Sequence, residues 1–331
     1  MRLFENARYP FMEWRKRAYI FTAVVLVLGI GAMLYNAATL GSWLNYGVDF
    51  TGGTLVQVNF KQPTTVDEIR ATAARGGHSD WQIARFEGGD EFVIRMPSFE
   101  QEAGVDASAR VTQGLSSRYQ PTDFNIVRTE AVGPKVGNEL QQRALLAILL
   151  SFVATLIYLW FRFEWRFGLA AIIATAHDIL ITLGFLAFTR TEISLATVAA
   201  LLTIVGYSLN DTIVVFDRVR ENLAKPRKAG ASYMQLLDTS INETLSRTVL
   251  TGGSTLATLL ALYLFGGAVI RDFAMVLILG IIIGTFSSIF VASPALFEIE
   301  KRWPKFNVKG GPSRAGASTA RTRSASSTAL V

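Results

Sequence analysis

The sequence predicts a polytopic α-helical membrane protein, six transmembrane helices with an α+β domain inserted between the first and the second. Three observations predict it. Half of the 331 residues are hydrophobic and only 18% are charged, against roughly 25% charged in soluble domains, and the mean hydropathy is +0.33. Charge vanishes over several stretches of about 20 residues, the length a helix needs to cross hydrocarbon. Between the first two such stretches lies a polar segment patterned as strands and helices.

Composition also excludes. With 22 Phe, 9 Tyr and 6 Trp, the chain does not avoid burial, so disorder is not its main state. The absence of Cys removes a disulfide scaffold, a thiol nucleophile, a zinc ribbon and an iron–sulfur centre. Two His, His78 and His177, do not make a multi-histidine metal site. No GxxxxGK[ST] string occurs, so nucleotide bound by this chain is not the power source. No metal or cofactor is expected.

The spans follow from the gaps in charge: 18–40, 143–161, 167–189, 194–216, 247–267 and 273–297. The third is interrupted by His177 and Asp178, the fourth by Asn210 and Asp211. The first is longer than the roughly 7–15 apolar residues of a signal-peptide core, so an uncleaved anchor is expected. Lys and Arg concentrate in 1–17, between spans two and three, in 217–246 and in 298–331. The alternate connections are short and nearly neutral. The positive-inside rule then puts both termini and every basic loop in the cytoplasm of a cell whose inner membrane holds the chain. Residues 41–142 lie outside. Residues 38–142 hold 9 Lys/Arg against 13 Asp/Glu, while the whole chain is +6. The basic character therefore faces anionic lipid on the inner side, and nucleic-acid binding loses its support.

In the outer segment, 53–61 alternates with period 2 as a half-buried strand does. Pro63 ends it, and Thr64 or Thr65 with Asp67 and Glu68 starts a helix that stops at Gly76–Gly77. Strands at 81–86 and 91–96 join through Gly88, Gly89 and Asp90, a hairpin signal. A helix over 99–119 and a strand at 124–132 complete a β-α-β-β-α-β order, the ferredoxin-like arrangement. His78 reads as a solvated loop residue, and nothing here resembles a nucleophile–base pair. The end of the chain after about residue 310, rich in Gly, Ser, Ala and Arg, reads as disordered.

Four strings carry a resemblance. They are 47–53 (GVDFTGG), 132–137 (VGPKVG), 176–178 (AHD) and 206–218 (GYSLNDTIVVFDR). Together with the order of one span, a large outer domain and five more spans, they resemble the SecD/SecF family of bacterial protein-export proteins. That family lies within the resistance–nodulation–division (RND) superfamily. The likeness covers about residues 15 to 300. It implies a non-enzymatic auxiliary of the Sec export machinery that uses the proton-motive force for late translocation and release of unfolded polypeptides. It further implies SecD, the SecYEG channel and YajC as partners, and places the proton-linked acid at Asp211 and the functional arginine at Arg247.

An ionisable group inside a span costs roughly 2.5–3.5 kcal/mol on insertion scales, so it is a functional hypothesis by default. Asp178 lies about 15 Å and Asp211 about 9 Å from the cytoplasmic ends of their spans. In the favoured mechanism, a proton loaded on Asp211 and released near Arg247 biases the helical bundle, with Asp178, His177 and Asn210 as further proton-coupling candidates. The structural alternatives are a hydrogen bond from Asp211 to Asn210, Ser208 or a partner helix, snorkelling of Arg247, and a buried structural pair of His177 with Asp178. Asp217 and Arg218 sit at the membrane edge. Asp49 is expected to cap or bend the entry into the first strand. Gly52 and Gly53 supply backbone conformations closed to other residues, and Gly133, Pro134, Gly137 and Gly206 complete the motif positions. The GxxxG spacing of Gly280 and Gly284 predicts close packing within the bundle. Residues 232–242 predict a short amphipathic helix on the inner membrane face, with Tyr233, Leu236, Leu237 and Ile241 along one side. Two competing functions remain: an RND half-transporter exporting a small molecule or lipid, and a membrane enzyme using Asp178 and Asp211 as an aspartyl pair. The motifs match no protease.

Overall fold

A computed structural model describes residue 4 and residues 7–85, 90–96, 107–225 and 232–304. The predicted turn at 88–89, the first part of the helix over 99–119 and the tail after 310 lie outside these residues. The elements run α1 (Phe11–Leu40), β1 (Asn45–Tyr46), α2 (Val48–Thr51), β2 (Gly53–Phe60), α3 (Val66–Arg75), β3 (Gln82–Arg85), β4 (Glu91–Met96), α4 (Ala107–Leu115) and β5 (Phe124–Val132). They continue with α5 (Pro134–Arg162), α6 (Trp165–Thr189), β6 (Glu192–Ile193), α7 (Leu195–Ala224), α8 (Tyr233–Phe265), α9 (Ala268–Ser287), a π-helical turn (Ser288–Ala292) and α10 (Ser293–Arg302). Two units form: Met1–Tyr35 with Phe152–Phe188 and Ala199–Val331, and Asn36–Ser151 with Thr189–Val198.

Among the described residues, six helical segments are long and apolar enough to cross a membrane. α1 is apolar around its circumference, with Val24, Val27, Leu28 and Leu34 exposed, as a lipid-facing helix should be. α6, α7 and the segment formed by α9, the π turn and α10 are instead largely covered by protein. Glycine sets how closely they pack. A Cβ on Gly29 would lie 2.9 Å from the Gly184 Cα, so α1 and α6 meet backbone to backbone. On α9, a Cβ at Gly280 would collide with the Ile204 side chain and one at Gly284 would lie 3.0 Å from the Ser208 Cβ. The GxxxG spacing thus seats α9 on α7, as packing within the bundle. The π turn stands just before Pro294, which lacks the N–H that an unbroken α-helix would offer to the carbonyl four residues back.

Residues 232–242 correct the sequence expectation. They are not a separate helix on the membrane face but the first turns of α8, which continues unbroken to Phe265. Tyr233, Leu237 and Ile241 are fully buried in the same core as Phe167, Phe216 and Leu296. Their apolar side faces protein, so the periodicity that predicted a lipid contact was reporting a core. α1 starts at Phe11, ahead of the expected span 18–40. α8 holds the start of α1 and the residues before it: Met12 N–H, in the first turn, donates to Asp238 Oδ1 at 2.8 Å, and Tyr9 N–H to Asn242 Oδ1 at 2.9 Å.

The second unit holds a four-stranded antiparallel sheet in the order β3-β4-β2-β5. With α3 and α4 this is the ferredoxin-like order the sequence predicts. Val56, Val58 and Phe60 of β2 pack with Ile69, Ala73, Val111 and Leu115 of the helices. Thr65 and Glu68 form a reciprocal capping box at the start of α3. His78 is not a solvated loop residue: it is half-buried and stacks on Trp81 with ring centroids 4.4 Å apart.

Glu68 also accepts from Thr64 Oγ1 at 3.1 Å and from Arg118 at 2.8 Å. The Thr64 hydroxyl, then Arg118, hold its carboxyl below the ordinary value. Because the folded value is depressed, the stabilisation is present above the unfolded value near pH 4.3 and is lost as pH falls through the folded one. Hydrogen-exchange protection of α3 should therefore fall on acidification in the native chain, and less steeply in Glu68→Gln. In the bundle, Gly184→Val should lower stability by about 1–3 kcal/mol, read as thermal unfolding in detergent.

Candidate functional site

α7 carries the 206–218 string. Its N-terminus is fixed by Asp49, whose Oδ2 accepts the Leu195 N–H at 2.8 Å. Asp49 therefore caps α7 instead of the first strand, correcting the sequence expectation. The string around Asp49 is shaped for this contact. Gly52 (φ 72°) and Gly53 (φ 116°) take backbone angles closed to other residues. A Cβ on Gly137 would press on the Gly52 nitrogen at 3.0 Å and the Phe50 carbonyl oxygen at 3.1 Å. No atom lies within 4 Å of where a Gly133 or Gly206 Cβ would stand. Gly137 thus ties the 132–137 string to the 47–53 string.

Along α7, Ile204, Ser208, Asp211, Thr212, Val215 and Val219 form one buried stripe at helical spacing. Asn210 lies off this stripe and is exposed. α6 brings His177 (5% exposed) and Asp178 (0%) to the same interior, and α9 brings Ser287. Asp178 is fully engaged. Its Oδ1 lies 2.9 Å from His177 Nδ1, and its Oδ2 accepts from Ser208 Oγ at 2.5 Å and Ser287 Oγ at 2.8 Å. Three helices are joined through one carboxylate. Both serine hydroxyls donate to it. Sequence reasoning paired His177 with Asp178 and did not reach Ser287, 109 residues away.

Asp211 is the opposite case. It is 2% exposed, and its Oδ2 is buried without a hydrogen-bond partner among the described residues. Ser208, the local partner considered for it, gives its hydroxyl to Asp178. Arg247 of α8 acts on Asp211 electrostatically, but no contact ion pair joins the two among the described residues. Arg247 was expected to open span five, and α8 extends N-terminal to it as far as Tyr233. It stands within α8, exposed. Asp217 pairs with Arg162 at 2.6 Å and Arg220 at 3.5 Å, and Arg218 with Glu221 at 2.5 Å and Glu243 at 2.7 Å. These close the α7 end structurally. A further buried acid escaped sequence reasoning. Glu300 of α10 is 1% exposed and lies 3.6 Å from Arg166, with no motif or charge-free context to mark it.

The profile "Protein export membrane protein SecD/SecF, C-terminal" matches residues 112–302, and "SecD/SecF GG Motif" matches residues 37–64. The chain belongs to the SecD/SecF family of protein-export membrane proteins. It is 46% identical to protein translocase subunit SecF of Gemmatimonas aurantiaca, over 93% of this chain and 92% of that one. To the subunit of the same name from Vibrio alginolyticus it is 44% identical, over 86% and 87%. Among solved structures it is similar to SecDF, a translocon-associated membrane protein from Thermus thermophilus, at 36% identity and a TM-score of 0.79. That match covers 91% of this chain and 40% of SecDF, so the chain spans about two fifths of that protein. A super-membrane-facing form of SecDF matches with a TM-score of 0.63. The GG-motif match includes Asp49, Gly52 and Gly53, and the longer match includes Asp178, Asp211 and Arg247. Among the described residues, no group of three or more His, Asp or Glu is arranged to hold a metal ion.

The two buried acids should respond oppositely to substitution. Ser287→Ala should destabilise by about 1.5–3 kcal/mol, because it removes a donor from a buried carboxylate. Asp211→Leu should stabilise by about 1–3 kcal/mol, because it removes a desolvated polar group that no partner compensates. Thermal unfolding of the purified chain in detergent reads both.

Proposed function

We propose that this chain is the six-span auxiliary subunit of the Sec protein-export machinery that, paired with SecD, draws on the proton-motive force. Its work is the late translocation and release of exported polypeptides beside the SecYEG channel, with YajC as a further partner. The observation that carries the reading is Asp211: a buried carboxyl without a hydrogen-bond partner at Oδ2, in the family's matched region and in the field of Arg247. A protonatable group that its own chain leaves unsatisfied is the one whose charge state an external gradient can set. Asp178, satisfied from three helices, is the fixed point against which Asp211 changes.

The energy scale suits the task. A unit charge moved through 100 mV is worth about 2.3 kcal/mol, about a fiftyfold change in a two-state ratio. Loading a proton on Asp211 cancels its interaction with Arg247, and releasing it restores that interaction, so α7 and α8 have two electrostatic arrangements. The chain acts as a transport subunit and not as an enzyme, and it needs no cofactor beyond the gradient. The distribution of Lys and Arg supports an inner-membrane orientation with both termini in the cytoplasm and residues 41–142 outside. The exposed Asn210 on α7 is open to a partner helix.

Asp211→Asn and Arg247→Ala should each remove the proton-driven part of export, measured as release of a trapped secretory precursor from vesicles bearing a proton gradient. The part driven without the gradient should stay. Undiminished gradient-driven release in Asp211→Asn would remove the acid from the mechanism.

A further inference from the structure

The unit that holds the sheet contains a polar cavity of about 310 Å³ that the export reading does not use. Ser42, Asn45, Asp80, Gln82, Arg95 and Arg190 line it. Its depth relative to a bilayer follows from the chain. α1 ends at Leu40 and α6 at Thr189, so Ser42, Asn45 and Arg190 stand just where two membrane helices emerge. That is headgroup level, and the exposed Trp43 and half-buried Tyr46 are the side chains that favour it.

The charges of the cavity divide into a closed pair and an open pair. Arg95 is neutralised by Glu192, and its Nη1 donates to Asn45 Oδ1 at 3.3 Å. Its Nε remains buried with no acceptor. Arg190 holds a left-handed backbone (φ 58°), and its Nη1 is also buried without an acceptor. Among the described residues, neither Arg190 nor the exposed Asp80 has an ion-pair partner. An orphaned guanidinium N–H asks for an anion, and arginine's planar fork suits phosphate oxygens. The carboxylate of Asp80 asks for a cation. The cavity as a whole is neutral, so an anion alone would leave Asp80 unmatched and repelled.

We propose that this cavity binds the phosphate–ammonium headgroup of a bilayer phospholipid, the phosphate on Arg190 and Arg95 Nε and the primary ammonium toward Asp80. A lipid is the source that already stands at this depth. Its acyl chains lie in the bilayer that α1 and α6 cross, so the headgroup reaches the cavity without leaving the membrane. The site would make the junction between spans and outer sheet responsive to the lipid composition around the chain.

The test uses the full chain purified in detergent and titrated with phosphatidylethanolamine, phosphatidylglycerol of the same acyl chains, or inorganic phosphate, with bound ligand read by native mass spectrometry. Phosphatidylethanolamine should be retained at least about tenfold more tightly than phosphatidylglycerol. Arg190→Gln should weaken both lipids by about tenfold, with Arg190→Lys keeping part of the binding. Asp80→Asn should bring phosphatidylethanolamine down to the level of phosphatidylglycerol without weakening the latter. Unchanged melting temperatures establish that the variants are folded. Equal retention of the two lipids by the native chain, undiminished binding in Arg190→Gln, or displacement of lipid by inorganic phosphate at equal concentration would overturn the proposal.

Discussion

Inside a bilayer no water is at hand to satisfy a polar group, and the helical bundle depends on how the Asp178 carboxylate is satisfied instead. Its Oδ2 takes hydrogen bonds from Ser208 and Ser287 and its Oδ1 pairs with His177 Nδ1, so α6, α7 and α9 are held by a single side chain. The arrangement requires α9 to lie close on α7, which Gly280 and Gly284 allow opposite Ile204 and Ser208. Glycine spacing and the polar cluster are thus one design: the first brings Ser208 and Ser287 near enough to serve the second. The π turn that begins directly after Ser287 adapts the backbone ahead of Pro294 without ending the span.

The same constraint gives Asp211 its meaning. Two acids on neighbouring helices, Asp178 on α6 and Asp211 on α7, sit in one interior, and among the described residues only the first is supplied with donors. Ser208, three positions before Asp211 on α7, turns its hydroxyl toward Asp178. Among the described residues, Asp211 is left with the field of Arg247. One acid is held by hydrogen bonds that reach three helices and the other is not, and the proposed proton coupling rests on that asymmetry.

Much of this was legible in the sequence, for local reasons. The ferredoxin-like order could be read because strand and helix periodicities differ, because Thr65 and Glu68 spell a capping box, and because Gly76–Gly77 ends the helix. The spans could be read from missing charge. What escaped was long-range. Asp49 caps a helix that begins 146 residues later, and Ser287 reaches Asp178 across 109. The apolar stripe of Tyr233, Leu237 and Ile241 has the same period whether it meets lipid or protein, so its burial in the core was not readable. The charge on Arg247 marked the start of an apolar span and carried no sign that α8 begins earlier, at Tyr233. Glu300 with Arg166 carried no signal at all.

The central claim is that Asp211, and not Asp178, is the carboxyl whose protonation the gradient sets. Infrared difference spectroscopy of the chain in vesicles, with and without an imposed proton gradient, tests it most directly. A protonated-carboxyl band should appear and vanish with the gradient, be missing from Asp211→Asn, and keep its position in Asp178→Asn. A gradient-dependent band that survives in Asp211→Asn, or that disappears in Asp178→Asn while Asp211 is intact, would contradict the account.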